Sequence, residues 1–330
     1  MRGASLMAYL DEGESGEHMA DMTVNRTEIH GKDVLPTLAR RYRQLYLAPG
    51  EEGAERYKAV VRRGEAVEGG SLAHFRGSEE DSLTWEETPA GAAQIVTLHE
   101  RADFEVFLQI MAHRCAETAI PATQGAMLLD GVINWRRIEA HKDAFLAQRA
   151  AEGETHPDWA AEFKRFTADK ANYTDALIVL SAGPYSGVGA ARVGLREDEW
   201  LRRSLTIRKY HECTHFVCRR KFPEWKDAVW DELVADCVGV YAAFGRLVPE
   251  LVELFLGIDG GRYVGGRLEN YVDAPDAAEK ARRLDALAPV LHGVLGKFEN
   301  NARQQAGIAP LELALIYESA YEELGGLSEF

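Results

Sequence analysis

The stretch Lys209-Tyr-His-Glu-Cys-Thr-His-Phe-Val-Cys-Arg219 decides the fold, because it contains the pattern H-E-x-x-H from His211 to His215. An α-helix turns once in about 3.6 residues, so the two histidines lie on one helix face, one turn apart. Two imidazoles placed in this way can bind one zinc ion, each through a ring nitrogen at about 2.0–2.1 Å. Glu212 is rotated by about 100° from His211 and can flank the ion without binding it, which suits a base that acts on water.

A second stretch, Trp230-Asp-Glu-Leu-Val-Ala-Asp-Cys237, supplies acidic residues for the same site. Glu232 and Asp236 are four residues apart and therefore share a helix face. We expect Glu232 to be the third metal ligand. Asp236 would accept a hydrogen bond from the outer nitrogen of a ligating histidine and so fix its orientation. Two histidines and one glutamate leave a fourth position open, which is typical of catalytic rather than structural zinc sites.

Together, HECTH and the following ELVAD resemble the two-part zinc signature of the gluzincin metallopeptidases, the thermolysin-like branch of the zincins. The resemblance covers roughly residues 197–245. It implies one zinc ion per chain, bound by His211, His215 and Glu232. It also implies that Glu212 is the general base and that Asp236 supports a ligating histidine.

The resemblance further implies a hydrogen-bond donor for the oxyanion, located after the third ligand in the sequence. Residues 257–273 are rich in glycine, and such a segment lets the backbone approach a ligand closely. Tyr271 is our first candidate, followed by Arg267, Tyr263 and His292. An ordinary surface loop is the alternative interpretation of this segment.

Other residues near the motif compete less well for the metal. Cys218 lies three residues from His215 but seven from His211, a rise of about 10.5 Å. Ligands of one zinc ion lie only about 3–4 Å apart, so Cys218 cannot join both histidines, and packing in the core is expected instead. Cys213 should face away from His211. His99 and His113 have no motif around them and are expected to be ordinary polar residues.

The composition excludes several classes of protein. The chain has 330 residues, of which 46% are hydrophobic, enough for a sizeable core. A net charge of −15 argues against nucleic acid or an anionic membrane as partner, because phosphate binding requires clustered Lys and Arg. Four cysteines without a C-x-x-C pair favour a reducing, cytoplasmic compartment. No secretory signal and no transmembrane helix are expected.

These patterns predict an α+β protein, mostly helical, with a zincin-like core and a small strand region before the metal-binding helix. We divide the chain into an acidic flexible tail (residues 1–30), an N-terminal segment (31–93) and the hydrolase core (94–330).

Several elements can be predicted individually. Asp175–Ser181 is an apolar run and is predicted as a strand, and Ala126–Ala150 as one or two helices. Glu197–Lys221 and Glu224–Phe244 are predicted as an antiparallel helix pair, because only a few residues join them. By the zincin resemblance, Ala176–Ser181 or Ala190–Leu195 would be the edge strand that pairs with the substrate. For the first of these, a buried central strand is an equally open alternative.

The sequence therefore predicts a zinc-dependent metallopeptidase that hydrolyses a peptide or protein substrate. Glu212 would take a proton from water and deliver it to the leaving nitrogen. Tyr271 would help to hold the oxyanion. Two alternatives stay open at this point: a zinc hydrolase of a non-protein amide or ester, and a non-catalytic scaffold with a zincin-like core.

Overall fold

A computed structural model describes residues 26–51, 55–67, 69–224 and 227–321 of the chain. The protein is α+β and mostly helical, as predicted. Its main sheet has five strands in the order β1-β2-β3-β5-β4. The strands are β1 (Ile29–His30), β2 (Ser82–Thr88), β3 (Gly91–Leu98), β4 (Ala126–Ile133) and β5 (Thr174–Ser181).

Helices of eight residues or more are numbered in chain order. They are α1 (Val34–Arg41), α2 (Arg101–Met111), α3 (Trp135–Ala151), α4 (Trp159–Phe166), α5 (Glu197–Lys221), α6 (Ala228–Phe244), α7 (Pro249–Leu256), α8 (Ala277–Gln304) and α9 (Pro310–Ser319). Helical turns also occur at Glu55–Tyr57 and, in π form, at Lys58–Arg62. A two-stranded ribbon, β6 (Ile258–Asp259) and β7 (Arg262–Tyr263), follows α7.

Strand β5 lies inside the sheet and separates two hydrophobic cores. It is parallel to β3 on one side and antiparallel to β4 on the other. Ile178 and Leu180 belong to the core that includes α5 and α6, whereas Leu177 and Val179 belong to the core that includes α1 and α2. Successive side chains of a strand point to opposite faces, so a uniformly apolar strand is what a sheet covered on both faces requires.

Both candidates for a substrate-binding edge strand were wrong. β5 has a neighbour on each side, and Ala190–Val193 forms a 3-10 helix rather than a strand. The edge of the main sheet beside α5 is instead β4, in a region predicted to be helical. A bulge between Leu129 and Val132, with Gly131 at a φ of 73°, interrupts the two-residue alternation of β4 and hides its strand pattern.

The N-terminal part of the chain contributes to the same sheet. β1 pairs with β2, and β2 pairs with β3, so the boundary predicted at residue 94 falls within a strand. Most of the predicted acidic tail, residues 1–25, lies outside the described residues. Within the described residues, no helix is both long enough and apolar enough to cross a membrane.

Helices α5 and α6 form the antiparallel pair that carries the sequence motif. The bounds of α5 are those predicted; α6 begins at Ala228, where the side chain of Asp227 caps its first turn by accepting a hydrogen bond from Trp230 N. The helices approach closely at Gly239, where a Cβ atom would lie 2.7 Å from the carbonyl oxygen of Ile207. This contact sets the spacing between the two helices near the predicted ligands.

Candidate metal centre

Three side chains of α5 and α6 converge at one point between the helices. The Nε2 atoms of His211 and His215 lie 3.1 Å apart. Oε2 of Glu232 lies 3.5 Å from Nε2 of His211, and Oε1 lies 3.5 Å from Nε2 of His215. His211 and His215 are buried and Glu232 is half-buried. The antiparallel packing therefore brings together the three predicted ligands, and the cluster could hold a metal ion.

The electrostatic environment keeps the glutamate ionised. Burial by itself would raise the pKa of Glu232, but the two neighbouring histidines hold this pKa well below its usual range. Burial also disfavours the charged form of His215, yet the nearby carboxylates of Glu232 and Glu212 raise the pKa of His215 above its usual value. The carboxylate of Glu232 thus favours a positive charge on the imidazoles that face it. A metal cation bound at the same point can supply this positive charge in place of a proton.

Behind His211 lies Asp236, which is fully buried at 0% exposure. Its Oδ1 is 3.0 Å from Nδ1 of His211, which is the predicted contact. The same oxygen accepts a hydrogen bond of 2.6 Å from the hydroxyl of Tyr185, and Oδ2 accepts one from the guanidinium of Arg267. Arg267 also donates to the Tyr185 hydroxyl oxygen at 3.2 Å.

This network fixes the orientation of His211. Although burial opposes ionisation, Arg267 and His211 hold the pKa of Asp236 below its usual value. An ionised Asp236 can only accept hydrogen bonds, so Nδ1 of His211 carries the proton that it receives. The lone pair of His211 Nε2 is then directed at His215 and Glu232, as metal binding requires.

The cluster opens into a cavity of about 410 Å³. Glu212 lies on its wall beside His211, as the helical spacing predicts. The other walls come from the segment before β4, the loop after β5 and the segment after the β6–β7 ribbon. The lining residues are Pro121, Thr123, Gln124, Gly125, Ala126, Tyr185, Ser186, Arg208, His211, Glu212, Glu232, Arg267, Asn270 and Tyr271.

Only two of the four candidate oxyanion donors lie at the cavity. Tyr271 lines it, and burial together with the neighbouring Glu232 carboxylate raises the pKa of the Tyr271 hydroxyl, although Arg267 opposes this effect. Arg267 also lines it, but its guanidinium is engaged by Asp236 and Tyr185. The Tyr263 hydroxyl instead bonds to Gly266 O and to Glu269, and His292 pairs with Glu253 at 2.6 Å. Neither of these two lines the cavity.

The competing cysteines and histidines are elsewhere, as expected. Cys213 and Cys218 are buried in the hydrophobic core shared by α5 and α6. Neither belongs to the ligand cluster. His99 is half-buried, lies 3.2 Å from Glu80 and does not line the cavity.

Two residues of the site, Tyr185 and Arg208, were not predicted from the sequence. Tyr185 belongs to the short segment Gly183-Pro-Tyr-Ser-Gly187 after β5. Arg208 precedes His211 by three residues, and a spacing of three places two side chains on adjacent parts of one helix face. That spacing was the available signal for Arg208. Nothing in the local sequence indicated Tyr185, because its contacts reach 26 and 51 residues ahead.

The chain matches a family model over residues 11–324, and that model is described as a family of unknown function, DUF7005. No curated protein and no solved structure matches the chain.

Proposed function

Since the chain belongs to the DUF7005 family, whose function is unknown, we propose from the site itself that it is a zinc-dependent metallopeptidase with a zincin-like core. The proposal is carried by one observation: His211, His215 and Glu232 form a ligand cluster, and two of its members, His211 and Glu232, line the same cavity as Glu212. Two of the three ligands and the base therefore face the same space, where a substrate and a water molecule can meet.

The ligand atoms suit zinc in both chemistry and spacing. Two imidazole nitrogens and a carboxylate oxygen form one of the common ligand sets of catalytic zinc. Bonds of about 2.0–2.1 Å in a tetrahedron place neighbouring ligand atoms about 3.3–3.4 Å apart. The two Nε2 atoms lie 3.1 Å apart, and each lies 3.5 Å from a different oxygen of Glu232, so these separations lie on either side of this value. One ligand atom of each residue lies within 4.8 Å of those of the other two, which is compatible with zinc binding after the side chains close on the ion.

The residues of the chain would divide the reaction among them. Zinc, when bound, supplies a Lewis acid that polarises a carbonyl group and makes water more acidic. Glu212 takes the proton as water attacks the carbonyl carbon, and then passes that proton to the leaving nitrogen. The hydroxyl of Tyr271 donates a hydrogen bond to the developing oxyanion. Asp236 keeps the Nδ1 proton of His211 in place throughout.

The sheet supports a peptide substrate. β4 is an edge strand, antiparallel to β5, and Ala126 at its start lines the cavity. An exposed edge can bind an extended peptide through main-chain hydrogen bonds. The zincin resemblance implies an edge strand in this role, and β4 takes the place of the two candidates that the structure excluded.

A second candidate function is hydrolysis of a small non-protein amide or ester. The cavity volume of about 410 Å³ favours it, because this lies in the lower half of the range for small-molecule sites, about 300–1,000 Å³. The site residues would act in the same way. Short peptides satisfy both observations, since they fit a small cavity and can still pair with β4.

The test combines metal content with activity. We expect near-stoichiometric zinc by elemental mass spectrometry in the wild type and in Glu212→Gln, and loss of zinc in Glu232→Ala. Asp231→Asn, a change at the adjacent carboxyl, is the matched control and should keep the metal. In a screen of peptides and small amides, Glu212→Gln should lose activity by about 10²–10⁴-fold.

Three outcomes would contradict the proposal in different ways. Zinc retained by Glu232→Ala would place the third ligand elsewhere. Full activity in Glu212→Gln would remove the general base. Zinc binding without hydrolysis of any substrate would favour the non-catalytic scaffold.

A further inference from the structure

The cavity contains a buried cation that the proposed reaction does not use. Arg208 lies on α5 three residues before His211, is 5% exposed and lines the cavity. Its Nη1 donates to the carbonyl of Gly183 at 2.6 Å, and its Nη2 donates to that of Pro184 at 2.7 Å. Among the described residues, no carboxylate forms an ion pair with it.

Arg267 provides an internal comparison. Both guanidinium groups lie over the ring of Tyr185, at 5.8 Å for Arg208 and 5.3 Å for Arg267. Arg267 has a buried carboxylate partner, Asp236, whereas Arg208 has none within the part of the chain that the structure describes. Burial lowers the pKa of Arg208 to about 10, whereas Asp236 outweighs burial and raises the pKa of Arg267. Taking a charge out of water is unfavourable unless an opposite charge compensates it, and among the described residues Arg208 lacks the counter-charge that Arg267 has.

Arg208 also has the capacity to bind an anion. A guanidinium carries five N–H groups, and the two carbonyls occupy two of them. The protein makes room for this side chain at Gly125, where a Cβ atom would lie 2.2 Å from Arg208 Nε. Gly125 lines the cavity as well, so the cation is accommodated at the cavity wall rather than behind it.

We propose that Arg208 binds a carboxylate of the substrate next to the scissile bond. The inference rests on the proposed function and narrows its substrate class to short peptides or related amides with such a carboxylate. Arg208 and His211 are three residues apart, a rise of about 4.5 Å along the helix. One extended residue spans about 3.3–3.6 Å. The two lengths are of the same order, so the carboxylate that fits is the free one of a single residue after the scissile bond, which corresponds to removal of one C-terminal residue.

An acidic side chain could supply the same group, and the experiment distinguishes the two sources. Binding is measured by ligand-observed NMR on metal-free protein, so that no probe can bind through zinc. The probes are acetylglycine, acetylglycinamide and the α-amide of N-acetylaspartate. Acetylglycine carries a main-chain carboxylate, acetylglycinamide carries none, and the third probe carries one in its side chain.

We expect acetylglycine to bind at least about tenfold more tightly than acetylglycinamide, because a close and desolvated pair of opposite charges increases affinity by at least this factor. The difference should disappear in Arg208→Gln and persist in part in Arg208→Lys, which keeps the charge. Arg101→Gln is the matched control. Arg101 also donates to backbone carbonyls near the cavity, at Gln124 and Pro121, but it has an acidic partner in Glu105. Its variant should bind both probes as the wild type does.

Arg208 also holds the loop at Gly183 and Pro184, so Arg208→Gln could fail to fold. In that case the preference of the wild type and of Arg208→Lys for acetylglycine decides the matter. Equal binding of the two glycine probes to the wild type, or no binding of either, would overturn the inference. Preference for the aspartate probe over acetylglycine would overturn the assignment to a C-terminal carboxylate.

Hydrolysis by the zinc-loaded wild type separates this inference from the proposed function. The substrates are an acylated dipeptide with a free carboxylate and the same dipeptide as its C-terminal amide. Equal hydrolysis of both would leave the hydrolase standing and overturn the role of Arg208. Hydrolysis of neither, together with preferential binding of acetylglycine, would overturn the hydrolase and leave the carboxylate site standing.

Discussion

The hydroxyl of Tyr185 donates a hydrogen bond of 2.6 Å to Oδ1 of Asp236, the same oxygen that lies 3.0 Å from Nδ1 of His211. Tyr185 thereby holds the carboxylate that orients a metal ligand. Removing its hydroxyl in Tyr185→Phe keeps the ring, which packs edge-on against Phe255 at 4.8 Å between ring centroids. We expect zinc affinity to fall by about 10–100-fold, the usual effect of losing a partner of a metal ligand.

Competition with a chromophoric chelator measures this loss. Tyr263→Phe is the matched control, because the Tyr263 hydroxyl bonds to Gly266 and Glu269 outside the metal cluster. Its zinc affinity should equal that of the wild type. Unchanged affinity in Tyr185→Phe would mean that Arg267 and Asp236 orient His211 without help from the tyrosine.

A second prediction concerns the spacing of α5 and α6. In Gly239→Ala the new Cβ would meet the carbonyl oxygen of Ile207 at 2.7 Å and its Cγ2 at 3.0 Å. The helices must separate, so we expect a loss of about 1–3 kcal/mol in the free energy of unfolding. Zinc affinity should fall as well, because Glu232 moves with α6 while His211 and His215 stay on α5. Distances between a metal ion and its ligand atoms vary by only about 0.2 Å.

Chemical denaturation and zinc titration measure the two effects. Gly293→Ala on α8 is the matched control, because a Cβ there meets no atom of the described residues within 4 Å. That exposed helical position should gain up to about 1 kcal/mol, since alanine favours helix over glycine. A Gly239→Ala protein with wild-type stability would show that the helix pair adjusts without strain.

Much of this arrangement follows from the sequence, and the reason is local periodicity. His211 and His215, like Glu232 and Asp236, are four residues apart, which is a helical spacing. The short connection between the two helices makes them antiparallel. What could not be predicted depends on contacts distant in sequence. Tyr185 meets Asp236 across 51 residues, and β4 becomes an edge strand only because β5 pairs with β3. The bulge of β4 at Gly131 also interrupts the two-residue alternation of side chains by which a strand is recognised in a sequence.

The third prediction tests Tyr271 as an oxyanion donor. Tyr271→Phe should lower kcat by about 10²–10³-fold, the effect of removing one such donor. Zinc should still bind, because the hydroxyl hydrogen-bonds to the ligand Glu232 but does not itself belong to the ligand cluster. Tyr210→Phe is the matched control, since the Tyr210 hydroxyl bonds to Glu86 at 2.9 Å and does not line the cavity. Loss of zinc in Tyr271→Phe would make the tyrosine a support for Glu232 instead.

The fourth prediction concerns pH and a buried acid on α9. Glu318 is 1% exposed, and burial, with a contribution from Asp231, raises the pKa of its carboxyl to about 8. Its ordinary pKa is 4.5, so the folded protein binds this proton more tightly than the unfolded chain does. The stability that Glu318 contributes is therefore fully present below about pH 4.5 and is lost as the pH rises through 8.

Glu318→Gln removes this titration and keeps the shape of the side chain. We expect its free energy of unfolding, relative to the wild type, to increase with pH between about 5 and 8, by at most about 1.4 kcal/mol per pH unit. Denaturation of both metal-free proteins at several pH values measures the difference. Glu312→Gln, at an exposed position of the same helix, is the control for replacing a glutamate on α9. A difference for Glu318→Gln that does not change with pH would mean that its carboxyl ionises in the folded protein as readily as in water.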